Sequence, residues 1–436
     1  MSTQTPRPAE ADVLNPGDDG YDGARRVWNA MVDRRPRRIV RCRSAADVAA
    51  AVVAARAEGL EIGIRCGGHS VVGHAVPDDG VMLDLRPLGA VRVDPDSRRA
   101  WLQGGALLGA LDAATQAHGL ATTAGNVSHT GAGGLILGGG MGWLARQHGL
   151  SCDNVVSFEV VTADGQVLRA SADEHPDLYW ALRGGGGNFG VVTEFELRLH
   201  DTGTRAVTAE VDLPATDARD AMRTWRDLAM DAPRAATHLA VVAGGIATLG
   251  LVWVGDPEAA RPHVDALTAL GPVVAERVAE TTYVALQTRE DDIEAHDIRR
   301  YWKGHYFAAL TDDAVDAFLS HDPAAAASLQ RYGGAIADVP VDSTAFSRRD
   351  TAFEYVGAAR WTDPDEDSTR IAVARANASL VEPFASGIYV NTLGDDGIAG
   401  LQRAYPPETL ARLRAVKAAY DPQNVFHLNQ NIPPAS

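Results

Sequence analysis

The stretch Ile64-Arg65-Cys66-Gly67-Gly68-His69-Ser70-Val71-Val72-Gly73-His74 decides how the rest of this sequence is read. An apolar strand pattern from Glu61 to Arg65 gives way to a run almost without large side chains. Glycines admit positive φ and close approach of the main chain, and successive N–H groups in such a run line a concave anion site. Arg65, Gly67, Gly68, Ser70, Gly73 and His74 are therefore candidate contacts to a phosphate-bearing ligand. His69 lies inside the cradle, where a neutral imidazole would stand beside that ligand as nucleophile or as a satisfied loop residue. Cys66-x2-His69-x4-His74 also has ligand-like spacing, but no fourth ligand or carboxylate accompanies it, and no metal is expected.

Upstream, residues 1–20 read as a loosely ordered leader, Ile39–Cys42 as a strand, and Ser44 to Asp47 as a capping box. The alanine-rich helix that follows stops at Gly59. This β-α-β opening carries its glycine loop after the second strand, whereas the Rossmann order puts it after the first. Downstream come a strand at Val81–Leu85, a hairpin from Val91–Asp94 and Arg99–Leu102, and a helix over Leu107–Ala117. The densest glycine run holds Ser128, Thr130, Gly131, Gly133 and Gly134, then Gly138, Gly139, Gly142 and Trp143. Such density costs chain entropy and implies backbone folded around a ligand. A hairpin follows at Val160–Leu168 with its Asp164-Gly165 turn, then a helix over Asp177–Arg183. Gly185, Gly187 and Gly190 spell G-x-G-x-x-G, but after a helix and ahead of a strand (Val191–Leu199), the reverse of the dinucleotide context.

Beyond Asp201 the glycines thin out. Val207–Leu213, Leu239–Ala243 and Ala247–Val254 read as strands, with helices at Asp217–Met230 and Glu258–Leu270, and a last helix at Ala404–Ala419. An α+β arrangement, an antiparallel sheet with helices on one face, fits this order.

Four segments together carry a family resemblance: Arg65-x-Gly67-Gly68-His69-Ser70, Gly149-Leu150-Ser151-Cys152-Asp153-Asn154, Gly184 to Thr193, and Tyr420 to Ile432. They resemble the berberine bridge enzyme-like branch of the FAD-linked oxidases, within the vanillyl-alcohol oxidase superfamily. The likeness is strong over 21–199 and 388–433 and weak between. It implies an α+β fold: a PCMH-type two-subdomain FAD-binding domain at 1–200, an antiparallel-sheet substrate domain at 201–400, and a segment at 401–436 returning to the FAD domain. It further implies FAD attached covalently through His69 and Cys152, with contacts from Asn154, Gly190, Val191, Val192, Tyr389, Asn391, Asn429 and Gln430. The reaction implied is hydride transfer from a substrate C–H to FAD, with reoxidation by molecular oxygen to H2O2. An alcohol or sugar hemiacetal is the first expected substrate, a secondary amine the alternative; a dehydrogenase with another acceptor is the other. A thioether at Cys152 needs a thiolate, favoured by the partly exposed polar loop expected there. Cys66 stands where the family usually has glycine, and Cys42 reads as a core residue of its strand.

The base is less legible. The family's Tyr-x-Asn-Tyr ends here in Thr392, so its second tyrosine is missing. A plant-branch glutamate, counted some ten residues past Phe346, falls on Val356 or Gly357. Tyr389, Tyr306 of the aromatic and basic run Arg299–Phe307, and Glu354 remain as candidates, while His129 and His148 read equally as pocket or structural residues.

Composition narrows the partners. The formal charge of -17 over 436 residues argues against nucleic acid. No apolar run of about 18 residues argues against a membrane span. Met1–Pro16 contains no apolar signal core, and three cysteines do not form a disulfide framework, so a cytoplasmic setting is expected. The expected partners are a small-molecule substrate and molecular oxygen.

Overall fold

The fold is a computed structural model that describes residues 12–271 and 273–435. Most of the leader expected over residues 1–20 thus lies outside the described residues. Its described end is ordered: Asp12–Leu14 is a strand, pairing antiparallel with Arg38–Arg41. The reason is an edge strand with free N–H groups, reinforced by an Arg41–Asp12 ion pair at 2.8 Å.

Three sheets organise the chain. The first runs Asp12–Leu14, Arg38–Arg41, Val81–Asp84, Ile62–Arg65, the last three parallel. Helix Ala45–Ala57 makes the crossover, started by the Ser44 hydroxyl accepting from Asp47 N–H at 3.2 Å. The second sheet is antiparallel: Val91–Asp94, Arg99–Gln103, Val191–Arg198, Val155–Val161, Val167–Ser171. Phe426, far along the chain, packs between Val161, Val191 and the helix residues Val48 and Val52, so the tail helps close the gap between these two sheets.

The third sheet has seven antiparallel strands, in the order Ala275–Thr282, Arg205–Pro214, Ile246–Val254, Ala236–Ala243, Ala326–Arg331, Phe353–Trp361, Arg299–Phe307. Alternation splits its side chains between two faces. Leu249, Leu329, Phe307 and Tyr355 turn toward the helices Arg219–Asp231, Pro257–Thr268, Asp312–Leu319 and Asp367–Val381. Tyr306 turns the other way, into a core shared with Ile136, Met141 and Phe189 of the first half. The expected layout, helices on one face of an antiparallel sheet, is what forms.

Helix Pro407–Tyr420 leads into the tail. Lys417, fully buried, donates to Asp421 at 2.6 Å and to the carbonyls of Asn188 and Phe426 at 2.7 and 2.9 Å. Asn188 in turn accepts from Ile432 N–H at 2.9 Å.

Candidate functional site

Two glycine loops meet face to face. A Cβ on Gly67 would stand 2.2 Å from the Gly131 nitrogen, and one on Gly131 would stand 2.1 Å from the Gly67 nitrogen. Side chains are thus excluded on both sides, and main-chain N–H groups crowd one place, as an anion cradle requires. Gly133 abuts the Gly104 carbonyl, while Gly134 faces open space. Beneath this, Arg65 is spent on Asp84, an ion pair at 2.6 Å with both side chains buried, so it braces the strand end. His74 is half-buried with its Nε2 enclosed and unpartnered, and desolvation pushes it down to about 4.

His69 stands over the cradle. Its ring stacks on Trp28 at 4.8 Å and 15°, and its Nε2 lies 2.8 Å from His129 Nδ1. Burial first, and then the charge environment that includes Arg300, pushes His69 well below the usual histidine range, so the imidazole stays neutral and nucleophilic. Ser128 binds Asp291, and the Thr130 hydroxyl sits 3.4 Å from His69 Nδ1. Trp28 was not singled out from sequence; a lone tryptophan 41 positions upstream carries no local signal.

A second cluster lies where the third sheet meets the first half. Tyr306 and Glu354 are opposite in register and share a face, as do Glu354 and Gln330. Tyr332 donates to Glu354 Oε2 at 2.7 Å, and its oxygen is 3.4 Å from that of Tyr306. The Tyr306 and Tyr389 rings stack at 6.2 Å. The Tyr389 hydroxyl accepts from Gly140 N–H at 2.7 Å and from Asn391 Nδ2 at 2.8 Å. The three candidate bases therefore sit together, with Tyr332 as an unforeseen fourth member. Burial raises Tyr306 and Tyr389 well above the ordinary phenol range, while it lifts Glu354 to about 7. Val356 and Gly357, the positions reached by counting, lie past Glu354 on the same strand.

The stretch 138–154 joins this cluster. A Cβ on Gly138 would meet Asn391 Oδ1 at 2.0 Å, and Gly139, at φ +130, presses on Phe346 and Tyr389. Ser151–Asn154 forms a single 3-10 turn whose Cys152 N–H donates to Gly139 O at 2.8 Å. The partly exposed, polar setting expected for Cys152 is not found. Its thiol is wholly buried, and burial with the adjacent Asp153 pushes it strongly up. The nearby Arg349, bidentate on Asp153 at 2.7 Å, opposes that shift. The thiol of the half-buried Cys66 is likewise pushed up by desolvation, to about 11, against backbone N–H groups of the glycine loops that lower it.

Other residues named from sequence act as framework. Trp143 packs against Ala121, Val252 and Tyr283. Asn154 donates to the carbonyls of His148 and Leu150, and His148 stacks on His200 at 3.9 Å. Gly142 lets the Ala124 carbonyl approach to 1.5 Å of where a Cβ would stand. Gly190 opens strand Val191–Arg198, and Val191 and Val192 fill two different cores. From the tail, Asn429 donates to Gly187 O at 3.2 Å and Gln430 to Leu393 O at 2.7 Å. Buried oxygens of Asn429 and Asn431 have no partner. A glycine cradle for phosphates, a neutral histidine above it and unspent polar atoms nearby together fit FAD. Among the described residues no group of three His, Cys, Asp or Glu could hold a metal ion, and no helix is long and apolar enough to cross a membrane.

Comparison with known proteins points the same way. A family model described as FAD binding domain matches residues 36–171, and one described as berberine and berberine like matches 388–433. (R)-6-hydroxynicotine oxidase of Paenarthrobacter nicotinovorans is 32% identical over 99% of this chain and 98% of its own length. Glucooligosaccharide oxidase of Sarocladium strictum is 29% identical over 96% and 91%. Among solved structures, 6-hydroxy-D-nicotine oxidase from Arthrobacter nicotinovorans superposes with a TM-score of 0.88 at 27% identity, covering 100% of both chains. With the cradle, the helix-faced antiparallel sheet and the returning tail in place, this chain belongs to the berberine bridge enzyme-like family of FAD-linked oxidases, and FAD is its cofactor.

Proposed function

We propose that this protein is an oxidase that holds FAD covalently through His69, with Cys152 as a second tether, and removes a hydride from a substrate C–H bond. FAD, when bound, accepts the hydride and hands the electrons to molecular oxygen, giving H2O2. Glu354 is the base: it takes the hydroxyl proton of an alcohol or sugar hemiacetal as the carbon gives up its hydride. The observation that carries this role is the contrast within the cluster. A base works best with a pKa near the working pH, and Glu354 lies at about 7 while Tyr306 and Tyr389 are held protonated. Tyr332, by donating to Glu354, holds the carboxylate in place between turnovers.

Cys152 needs to ionise before it can bond, which Arg349 and Arg183 favour and burial opposes. Glucooligosaccharide oxidase from Acremonium strictum, which carries a 6-S-cysteinyl, 8α-N1-histidyl FAD, shares the fold, with a TM-score of 0.88 at 24% identity. Three cysteines with no disulfide between them suit a reducing cytoplasm.

One observation favours a second reading, a secondary amine as substrate. The side-chain partner of Glu354 is a tyrosine, with no cation paired to it among the described residues, and tyrosine rings surround it. A buried carboxylate in an aromatic setting suits an ammonium group. A screen of alcohols, sugars and secondary amines under air, read by peroxide release, decides between them. Peroxide with sugars or alcohols supports the first reading and with amines alone the second. Dye reduction without peroxide would make the protein a dehydrogenase, and a colourless protein would end both readings.

The division of labour proposed along the chain is FAD binding at 1–200 and substrate binding at 201–400, with 401–436 closing on the FAD side.

A further inference from the structure

The side chain on which His69 leans is itself held from behind. Asp291 accepts from Ser128 N–H at 2.9 Å and from the Ser128 hydroxyl at 2.6 Å, which fixes the backbone ahead of His129. His129 Nε2 lies 3.4 Å from the Asp291 carbonyl. A carbonyl only accepts, so the hydrogen-bond pattern assigns the proton to His129 Nε2 and a lone pair to Nδ1. Nδ1 then accepts from His69 Nε2 at 2.8 Å. A neutral imidazole carries one proton, so the lone pair of His69 falls on Nδ1, beside the Thr130 hydroxyl at 3.4 Å. Trp28 covers one face of the His69 ring and keeps it from turning over.

We propose that His129 is a positioning residue for covalent attachment of the cofactor: it sets the tautomer of His69 and takes the proton that His69 sheds. This rests on the covalent reading given above. The bond that forms joins His69 Nδ1 to the flavin 8α carbon. One C–H bond at that carbon breaks, its proton leaving to solvent and its electron pair entering the ring system. Molecular oxygen removes those two electrons and, with two protons, leaves as H2O2. The imidazole, alkylated at Nδ1, is cationic until its Nε2 proton passes to His129 Nδ1, which is within hydrogen-bond reach. Without that acceptor the lone pair of His69 is free to settle on Nε2, the nitrogen turned away from Thr130, and the next imidazole, His296, has its ring 5.9 Å from that of His69 with no hydrogen bond to it.

The test reads the share of the His69-containing peptide that carries flavin mass, in digests of purified holoprotein, alongside total flavin per chain in the native state. Wild type should be largely modified. His129→Ala should lower the modified share at least tenfold while total bound flavin stays close to one per chain. Added imidazole should restore it in part. His129→Gln, which accepts a hydrogen bond but keeps no proton, should fall between the two. Equal modification in wild type, His129→Ala and His129→Gln overturns the proposal. So does loss of all flavin, bound or linked, in His129→Ala together with wild-type behaviour of His129→Gln, because that pattern belongs to a structural role. An unmodified His69 peptide in wild type removes the covalent reading itself, a result distinct from either.

Discussion

Tyr332, immediately past strand Ala326–Arg331, reaches Glu354 on the neighbouring strand Phe353–Trp361, the phenol donating to the carboxyl at 2.7 Å with both side chains buried. Neither residue sits near the other in sequence, and neither belongs to a glycine loop. Burial lifts this one acid of the cluster to about 7 while the Tyr332 hydrogen bond pulls the other way, so it changes charge near neutrality whereas the tyrosines stay protonated.

Glu354→Gln should therefore lower the rate of flavin reduction by substrate about 10²–10⁴-fold, the usual worth of a general base, with flavin content unchanged. In wild type the reduction rate should rise with pH through about 7 as the carboxylate forms. Stopped-flow absorbance of the flavin measures both. A variant as fast as wild type would move the base elsewhere.

The two tethers separate by mutation. Cys152→Ala should remain yellow, with flavin on the His69 peptide and an altered absorption spectrum. His69→Ala should lose flavin from that peptide and keep whatever Cys152 holds. Peptide mass mapping reads each attachment singly. An unmodified Cys152 peptide in wild type would show that its burial wins over Arg349.

Gly67→Ala places a methyl group 2.2 Å from the Gly131 nitrogen. One loop must retreat, so flavin binding should be lost or weakened more than tenfold, with a stability cost of about 1–3 kcal/mol of the size that overpacking brings. Flavin content and a thermal melt check it. Gly23→Ala, in helix Tyr21–Arg25 outside the cradle and with nothing within 4 Å of the added methyl group, is the control and should bind flavin normally.

Acid should loosen the fold. His74, His200 and His305 are pushed down to about 4 and His238 to about 3, all by burial. The unfolded chain takes up those protons near pH 6.5 while the folded chain does not, so stability is lost as pH falls from 6.5 toward 4. Glu354 and Asp112, both raised to about 7, act in the opposite sense across part of that window. They hold protons that the unfolded chain has lost, and stability from them fades as pH rises toward 7. Four histidines against two acids should leave a melting temperature that falls on acidification below pH 6.5, measured by calorimetry.

The glycine loops were legible because few structures other than a ligand cradle need Gly67 and Gly131 where they are. The false dinucleotide motif at Gly185, Gly187 and Gly190 was legible from its context, a helix before and a strand after. Strand Ala275–Thr282 was not, because it lies exposed along an edge and shows no apolar alternation. Glu354 escaped a count along the chain because register across strands, not spacing, sets it opposite Tyr306. The burial of Cys152 was equally hidden, since the carbonyl that receives its N–H belongs to Gly139, in another segment. Sequence reports local chemistry well; it reports poorly what distant segments bring to each other.

The buried Lys417 has a consequence for biosynthesis. It joins Asn188 to Asp421 and Phe426, and Ile432 closes on the same asparagine. The glycine turn before Val191 therefore takes its final shape only after residues 417–432 have left the ribosome. Cofactor capture must follow synthesis of that segment, and a nascent chain stalled in the third sheet would remain colourless.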